Sequence, residues 1–156
     1  MKPTIEIKVL DERLHEWGLP KYQTPLAAAI DLFACIENPL ELKPQDAAVL
    51  IPSGIALHMD TLEFCAVILP RSGLGHKKGL VLGNSVGLID ADYTAQCFIS
   101  AWNRNPTTSS AVITINPGDR IAQMMFLPIV RPDFKLVDEF SSDSDRASGG
   151  FGSTGV

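Results

Sequence analysis

The apolar residues of this chain fall into short runs that are separated by turn-forming residues. Ile5, Ile7 and Val9 alternate with polar neighbours near the N-terminus. Later apolar runs are rich in Ile, Val and Phe and cover residues 47–57, 64–69, 98–102, 111–115 and 121–130. Turn sequences such as Pro-Ser-Gly and Asn-Pro-Gly-Asp separate or interrupt these runs, as is typical of antiparallel strands. The sequence therefore predicts an all-β sandwich or barrel.

A single short helix is expected in this β architecture, over residues 71–78. Pro70 precedes this stretch and Gly79 follows it, which favours one or two helical turns. Arg71 and Ser72 lie at its beginning. The free N–H groups of a helix start point outward and attract anions, so this turn is a candidate phosphate site.

Composition limits the kinds of partner that the chain can bind. Its net charge is −5, which argues against a general nucleic-acid-binding protein. We expect no membrane span and no signal peptide, because long apolar runs are missing. Cys35, Cys65 and Cys97 are widely spaced among apolar neighbours, which favours buried thiols in a reducing cytoplasm.

The C-terminal residues 141–156 differ in composition from the body of the chain, residues 1–140. They are rich in Gly and Ser and have no apolar run to anchor them, which predicts a mobile tail. Arg146 and Phe151 lie among these glycines, and such residues can bind phosphate and stack on a base. The tail is therefore either a lid over a nucleotide or a plain disordered end.

Five segments of the chain carry candidate chemistry. They are AAAIDLFA around Asp31, PRSGLG from Pro70, GNSVGLIDADY from Gly83, PGDRIAQ from Pro117, and RASGGFGSTG from Arg146. In order, spacing and wording they closely resemble the five motifs of the trimeric dUTP pyrophosphatase (dUTPase) family. The resemblance implies a jelly-roll β fold, a homotrimer, and Mg²⁺-dependent hydrolysis of dUTP to dUMP and pyrophosphate. Such an activity limits uracil incorporation into DNA and supplies dUMP for thymidylate synthesis.

The resemblance also implies which residues bind the triphosphate. Arg71, Ser72 and Gly73 match the family's phosphate-binding turn, and Ser72 would stabilise the leaving pyrophosphate near the α,β-bridging oxygen. The alternative for Ser72 is a helix cap, and both roles are compatible. Gln123 resembles the family glutamine that contacts phosphate. Arg120 is expected to pair with an internal carboxylate.

The third segment, which we expect to form a β-hairpin, resembles the nucleoside site. Asn84 and the backbone around Gly87 would recognise uracil, and Tyr93 would pack beneath the deoxyribose and exclude a 2′-hydroxyl. Asp90 is the candidate general base for an attacking water. Asp92 is its rival, because it lies two residues away on the same side of a strand.

In the tail, the resemblance implies that Arg146 meets the phosphates and Phe151 stacks on uracil. Gly152, Ser153 and Thr154 would hydrogen-bond the γ-phosphate. The homotrimer makes a site shared between subunits plausible.

The resemblance does not say which residues hold the metal, nor what alanine does at three positions where the family usually has glycine. No cluster of acidic residues and histidines has metal-ligand spacing, so Mg²⁺ is expected on the triphosphate, with waters bridging to the protein. Asp31 either takes one such bridge or only holds the site together. Ala29, Ala95 and Ala147 stand where the family usually has Gly, and each would penalise a positive φ. We expect them to tune affinity or rate.

Two other functions are alternatives to dUTP hydrolysis. A dCTP deaminase of the same superfamily needs a differently placed glutamate, and cytosine presents an amino donor where uracil presents an acceptor. A non-catalytic trimeric nucleotide sensor would use the same fold without turnover.

Overall fold

The computed structural model describes residues 3–142 of the chain. Two short helical segments lie among its strands: α1 (Leu14–Trp17) and α2 (Leu74–Lys78), which has π-helical hydrogen bonding. The strands are β1 (Glu6–Val9), β2 (Ile30–Phe33), β3 (Leu40–Leu42), β4 (Val49–His58), β5 (Phe64–Pro70), β6 (Leu80–Leu82), β7 (Gly87–Ile89), β8 (Gln96–Asn103), β9 (Ile113–Ile115) and β10 (Arg120–Pro128). No helix in this described part is long and apolar enough to cross a membrane.

Two four-stranded antiparallel sheets form the body of the protein. One has the strand order β1-β4-β8-β6 and the other β2-β10-β5-β7, while β3 and β9 form a small third sheet. The non-consecutive neighbours mean that the chain crosses repeatedly between the sheets, as in a jelly roll. The all-β prediction is confirmed, and each of the five later apolar runs overlaps a strand.

The period-two pattern creates the core between the sheets. In β8, Cys97, Ile99 and Ala101 are buried, while Phe98 between them is exposed. The largest fully buried apolar side chains come from all three sheets and from α1: Leu14, Leu32, Ile51, Ile55, Leu57, Ile68, Ile99, Ile115 and Met124. Burial of this apolar surface is the main favourable contribution to folding.

The three cysteines are buried free thiols, as predicted. Burial raises the pKa of Cys35 to about 12 and that of Cys97 to about 11. Thiols with raised pKa values stay protonated at neutral pH and are poor nucleophiles, so these two are packing residues.

Segment α1 is a helical turn that the sequence did not predict. Leu14 is fully buried there, and the Arg13 guanidinium lies 5.0 Å from the centre of the Trp17 ring. Arg13 also forms an ion pair with Asp11 at 2.6 Å and donates to the backbone oxygen of Ile36 at 3.0 Å. Tertiary contacts therefore hold a turn that is too short to be stable by its own propensity.

The prediction of a β-hairpin over residues 83–93 is wrong. Strand β6 pairs with β8 in one sheet, and β7 pairs with β5 in the other, so the segment crosses between sheets. The crossing turn is tight: Ser85 has a φ of 64°, and a Cβ added to Gly83 would overlap the Cβ of Ala48. Glycine and turn residues mark a sharp turn, but they do not distinguish a hairpin from a sheet-to-sheet crossing.

Candidate active site

A polar cleft of about 590 Å³ lies at one end of the β2-β10-β5 sheet. Register explains its composition, because Gln123 of β10 pairs with Asp31 of β2 on one side and with Leu69 of β5 on the other. Arg71 follows directly after β5, and Ser72 and Gly73 lead into α2. The cleft thus brings together the residues predicted to bind phosphate, with Ala29, Lys77, Lys78 and Arg120 also on its walls.

Asp31 holds two arginines at this cleft. Its Oδ1 lies 3.0 Å from Nε of Arg71, and its Oδ2 lies 3.1 Å from Nη1 of Arg120. Nη1 of Arg71 also donates to the backbone oxygen of Arg120 at 2.9 Å. The expected pairing of Arg120 with an internal carboxylate is confirmed. Because both oxygens of Asp31 are engaged and its side chain is only 12% exposed, the carboxylate fixes the arginines in place.

Gln123 and Ser72 keep hydrogen-bonding capacity toward the cleft. Nε2 of Gln123 donates to the backbone oxygen of Pro70 at 2.9 Å, and an amide nitrogen carries a second hydrogen that this bond does not use. The N-cap position of α2 is Gly73, and no side chain caps the helix start. The helix-cap alternative for Ser72 is therefore wrong, while the exposed hydroxyl borders the cleft.

A second, smaller pocket of about 290 Å³ lies at the opposite end of the sheet, after β7 and beside residues of β4 and β8. Its walls are largely apolar side chains, and Asp90 and Tyr93 complete them: Leu50, Leu88, Ile89, Asp90, Tyr93 and Phe98. The Tyr93 hydroxyl donates to the backbone oxygen of Gln96 at 2.9 Å, and the Tyr93 amide donates to the Asp90 oxygen at 3.1 Å. These bonds fix the tyrosine beside the carboxylate-bearing turn.

The two carboxylates of this turn differ in their surroundings. Asp90 borders both the Tyr93 pocket and a neighbouring cavity of about 620 Å³, whereas Asp92 borders only that neighbouring cavity. Asn84 and Gly87 lie on the crossing turn and at the start of β7, outside the linings of these pockets. Gly87 faces the Ile68 side chain, which would lie 3.2 Å from an added Cβ.

The polar cleft and the Tyr93 pocket lie far apart within one chain. Ile68 of β5 pairs with Gly87 of β7, so Arg71 lies three residues beyond this pair and Asp90 three residues in the opposite direction. At about 3.3 Å per residue, the two backbones are separated by roughly 20 Å. One chain therefore does not bring Asp90 and Arg71 to the same phosphorus atom.

The apolar wall of the Tyr93 pocket was missed by sequence reasoning. Leu50, Leu88 and Phe98 are exposed large apolar residues that surround it. A signal for Phe98 was present, because the alternation in β8 buries its two neighbours and turns the aromatic ring outward. Together with exposed Leu50 and Leu88 around the same pocket, this ring forms an apolar patch of the kind that marks ligand sites.

The dUTPase family model matches residues 15–155 of the chain.

The chain belongs to the dUTPase family.

Curated relatives cover almost the whole length of the chain. It is 55% identical to the deoxyuridine 5′-triphosphate nucleotidohydrolase of Xanthomonas campestris pv. campestris, over 100% of this chain and 99% of the relative. It is 52% identical to the enzyme of the same name from Tolumonas auensis, with 97% of each chain covered. Among solved structures, the Staphylococcus bacteriophage 80alpha dUTPase with dUpNHpp superimposes with a TM-score of 0.85 at 26% identity, covering 99% of this chain and 100% of that one.

Two of the three family glycine positions that carry alanine lie in the described residues. Neither Ala29 nor Ala95 has a positive φ, so the expected backbone penalty is absent at both. Ala29 borders the polar cleft, whereas Ala95 is exposed and does not line the Tyr93 pocket. Ala147 lies outside the described residues, as do the predicted tail residues Arg146, Phe151, Gly152, Ser153 and Thr154.

Proposed function

We propose that this chain is a dUTP diphosphatase, which hydrolyses dUTP to dUMP and pyrophosphate. The observation that carries the proposal is the pair of sites at opposite ends of the β2-β10-β5-β7 sheet: a cationic cleft suited to phosphates and an apolar pocket with a fixed tyrosine and a carboxylate. Family membership supports this chemistry over the dCTP deaminase and the non-catalytic sensor.

In this proposal the polar cleft binds the triphosphate. Arg71 offers a guanidinium group, Ser72 a hydroxyl, Gly73 a backbone N–H and Gln123 the second hydrogen of its amide. Ser72 stabilises charge on the oxygen that bridges the α- and β-phosphates as that bond breaks. The ion pair with Asp31 holds the guanidinium of Arg71 in place. Binding is therefore preorganised, because Arg71 needs little rearrangement when substrate arrives.

The Tyr93 pocket binds the nucleoside and supplies the base. The Tyr93 ring packs against deoxyribose, and Asn84 with the backbone near Gly87 recognises the uracil edge. Asp90 accepts a proton from a water molecule while the water oxygen attacks the α-phosphorus in line with the leaving group. The bond from that phosphorus to the bridging oxygen breaks, and pyrophosphate leaves. Asp90 is favoured over Asp92 because it alone of the two borders the Tyr93 pocket.

The separation of these two regions supports a site shared between subunits. Asp90 and Ser72 must act on neighbouring atoms of one phosphate, yet Asp90 and Arg71 lie roughly 20 Å apart along the strands of one chain. A second copy that brings its cleft to the Tyr93 pocket of the first removes the conflict. We therefore propose a homotrimer in which each active site combines segments of different subunits.

The arm formed by residues 129–140 supports subunit association. It follows β10 without regular structure, and four of its large apolar side chains are 89–96% exposed: Val130, Phe134, Leu136 and Phe140. A soluble protein seldom leaves so many large apolar groups in water on one segment. We propose that the arm packs on a neighbouring subunit and carries residues 141–156, as a separate lid, to that subunit's active site.

Magnesium fits this site as part of the substrate. The described residues contain no group of three or more His, Cys, Asp or Glu side chains that could hold a metal ion. Asp31 is the carboxylate among the described residues that line the cleft, and both of its oxygens form ion pairs. We propose that Mg²⁺ enters with the triphosphate, that Asp31 is the cleft residue that would hold it through water, and that the ion would neutralise charge on the leaving pyrophosphate. We also propose a cytoplasmic location, which the buried free thiols support.

The test is a turnover assay with dUTP, dCTP, dTTP and UTP in magnesium buffer. We expect equimolar dUMP and pyrophosphate from dUTP and much lower efficiency with the other three nucleotides. Release of ammonia from dCTP would instead support a deaminase. Tight nucleotide binding with no product from any substrate would support the sensor.

A further inference from the structure

Two lysines on the last turn of α2 face the polar cleft and have no assigned role. Lys77 and Lys78 both border the cleft and are exposed. Neither forms a salt bridge within the described residues. These two ammonium groups are therefore available to an incoming anion.

The polar cleft has more positive charge than its own carboxylate can neutralise. Four cationic side chains line it, namely Arg71, Arg120, Lys77 and Lys78. Asp31 is the one carboxylate among the described lining residues, and it is bound to the two arginines. A chain with a net charge of −5 thus concentrates positive charge at this point. Local excess charge of this kind attracts an anion that carries several negative charges.

The backbone that carries the lysines is held in place from outside the helix. Asn105 donates to the Lys78 oxygen at 2.8 Å, and Arg104 donates through Nε and Nη2 to the Gly75 oxygen at 3.3 and 3.0 Å. Gly79 closes the turn with a φ of 79° and donates its N–H to the Leu74 oxygen. The lysine stems therefore begin from fixed positions, which lowers the entropy lost when their ammonium groups bind.

We propose that Lys77 and Lys78 bind the diphosphate end of the substrate and the pyrophosphate product. This inference rests on the proposed hydrolysis of dUTP. Arg71 and Ser72 lie at the start of the helical turn, and the lysines lie on its last turn, farther from the residues assigned to the α-phosphate. An ammonium group is a compact charge with three rotatable donors, which suits a mobile terminal phosphate. The lysine pair therefore favours triphosphate and pyrophosphate over dUMP.

The test compares the variant Lys77→Gln/Lys78→Gln with the unaltered enzyme. Glutamine keeps much of the side-chain length and removes the charge. We expect the Kd of pyrophosphate, measured by calorimetry in magnesium buffer, to rise about 10-fold, since each exposed charge pair contributes modestly. The Kd of dUMP should change less than twofold, and KM for dUTP should rise while kcat stays within about threefold.

Lys43→Gln is the matched control, because Lys43 is an exposed lysine outside the cleft. Lys77→Arg/Lys78→Arg should retain pyrophosphate binding. An unchanged pyrophosphate Kd in the glutamine variant, or an equal loss of dUMP binding, would overturn the proposal. Direct binding separates this outcome from the proposed function, which would fail instead if the unaltered enzyme released no pyrophosphate from dUTP.

Discussion

At the scale of single residues, two carboxylates of the proposed site differ in their contacts and exposure. Asp31 has both oxygens committed to arginines, whereas Asp90 borders two cavities and is exposed. The two arginines occupy both oxygens of Asp31, whereas an exposed carboxylate is free to hydrogen-bond a water. This difference supports the proposal that Asp31 positions the arginines and that Asp90 is the base.

Asp90→Asn should remove the base and keep the shape of the pocket. We expect kcat to fall by about 10²–10⁴-fold, as is typical when a general base is lost, with little change in the affinity for a non-hydrolysable dUTP analogue. Single-turnover kinetics would measure the chemical step. Asp92→Asn is the matched control and should retain most activity, so the reverse ranking of the two variants would transfer the role to Asp92.

Asp31→Asn separates the two roles that the sequence left open. If the carboxylate only positions Arg71 and Arg120, its loss should raise KM for dUTP and lower the free energy of unfolding by about 1–2 kcal/mol. The Mg²⁺ concentration that gives half-maximal activity should stay the same. A clear rise in that concentration would show that Asp31 holds the ion through water.

Tyr93→Ala should weaken discrimination against ribonucleotides, because the ring that packs beneath the sugar is removed. The quantity to measure is kcat/KM for dUTP divided by that for UTP. Tyr93→Phe keeps the ring and loses only the hydrogen bond to the Gln96 oxygen, so it should preserve the ratio. An unchanged ratio in the alanine variant would assign sugar selection to another residue.

At the scale of secondary-structure elements, the crossing between β6 and β7 depends on close contact of two backbones. Gly83→Ala would place a methyl group on the Cβ of Ala48, and we expect a loss of about 1–3 kcal/mol from overpacking. Urea unfolding at one fixed protein concentration would measure it. The double variant Gly83→Ala/Ala48→Gly should recover much of the loss, with Ala48→Gly alone as control. No recovery would mean that another contact requires the glycine, namely that with Oγ of Ser100, which would lie 3.0 Å from the added Cβ.

The sequence predicts elements better than it predicts their pairing. Strand positions such as that of β8 followed from short apolar runs between turn residues, because a strand with a buried face is rich in apolar residues. The pairing of β6 with β8 and of β7 with β5 depends on contacts between distant parts of the chain, and the local turn residues carry no such information. Segment α1 was missed for the same reason, since Leu14 and Arg13 stabilise it through tertiary contacts.

The residue types of the candidate site were predictable from the sequence, but the distance between its two parts was not. Arg71, Ser72 and Gln123 were grouped from motif wording, and the register of β10 brings them to one cleft. The wall formed by Leu88 and Phe98 was missed, because exposed apolar residues have no motif of their own. The separation of Asp90 from Arg71 follows from strand direction alone, which a list of motifs does not contain.

At the scale of the whole molecule, the shared site predicts that two inactive variants restore each other. Arg71→Ala and Asp90→Asn chains would be co-expressed with different tags, and trimers containing both would be purified. In a cyclic trimer, each mixed assembly has one site that combines an intact Arg71 from one chain with an intact Asp90 from its neighbour. The purified mixed trimers should therefore recover about one third of the unaltered activity, and a random mixture before purification about one quarter.

The control for this experiment pairs two variants of the same cleft. Arg71 and Gln123 come from one chain in every site, because both line the polar cleft of a single subunit. Mixed trimers of Arg71→Ala and Gln123→Ala should therefore gain no intact site. If the first mixture stays as inactive as its parents while the tags prove that mixed trimers formed, each site is built from one chain. The strand register would then require a rearrangement of β7 on substrate binding to bring Asp90 to the phosphates.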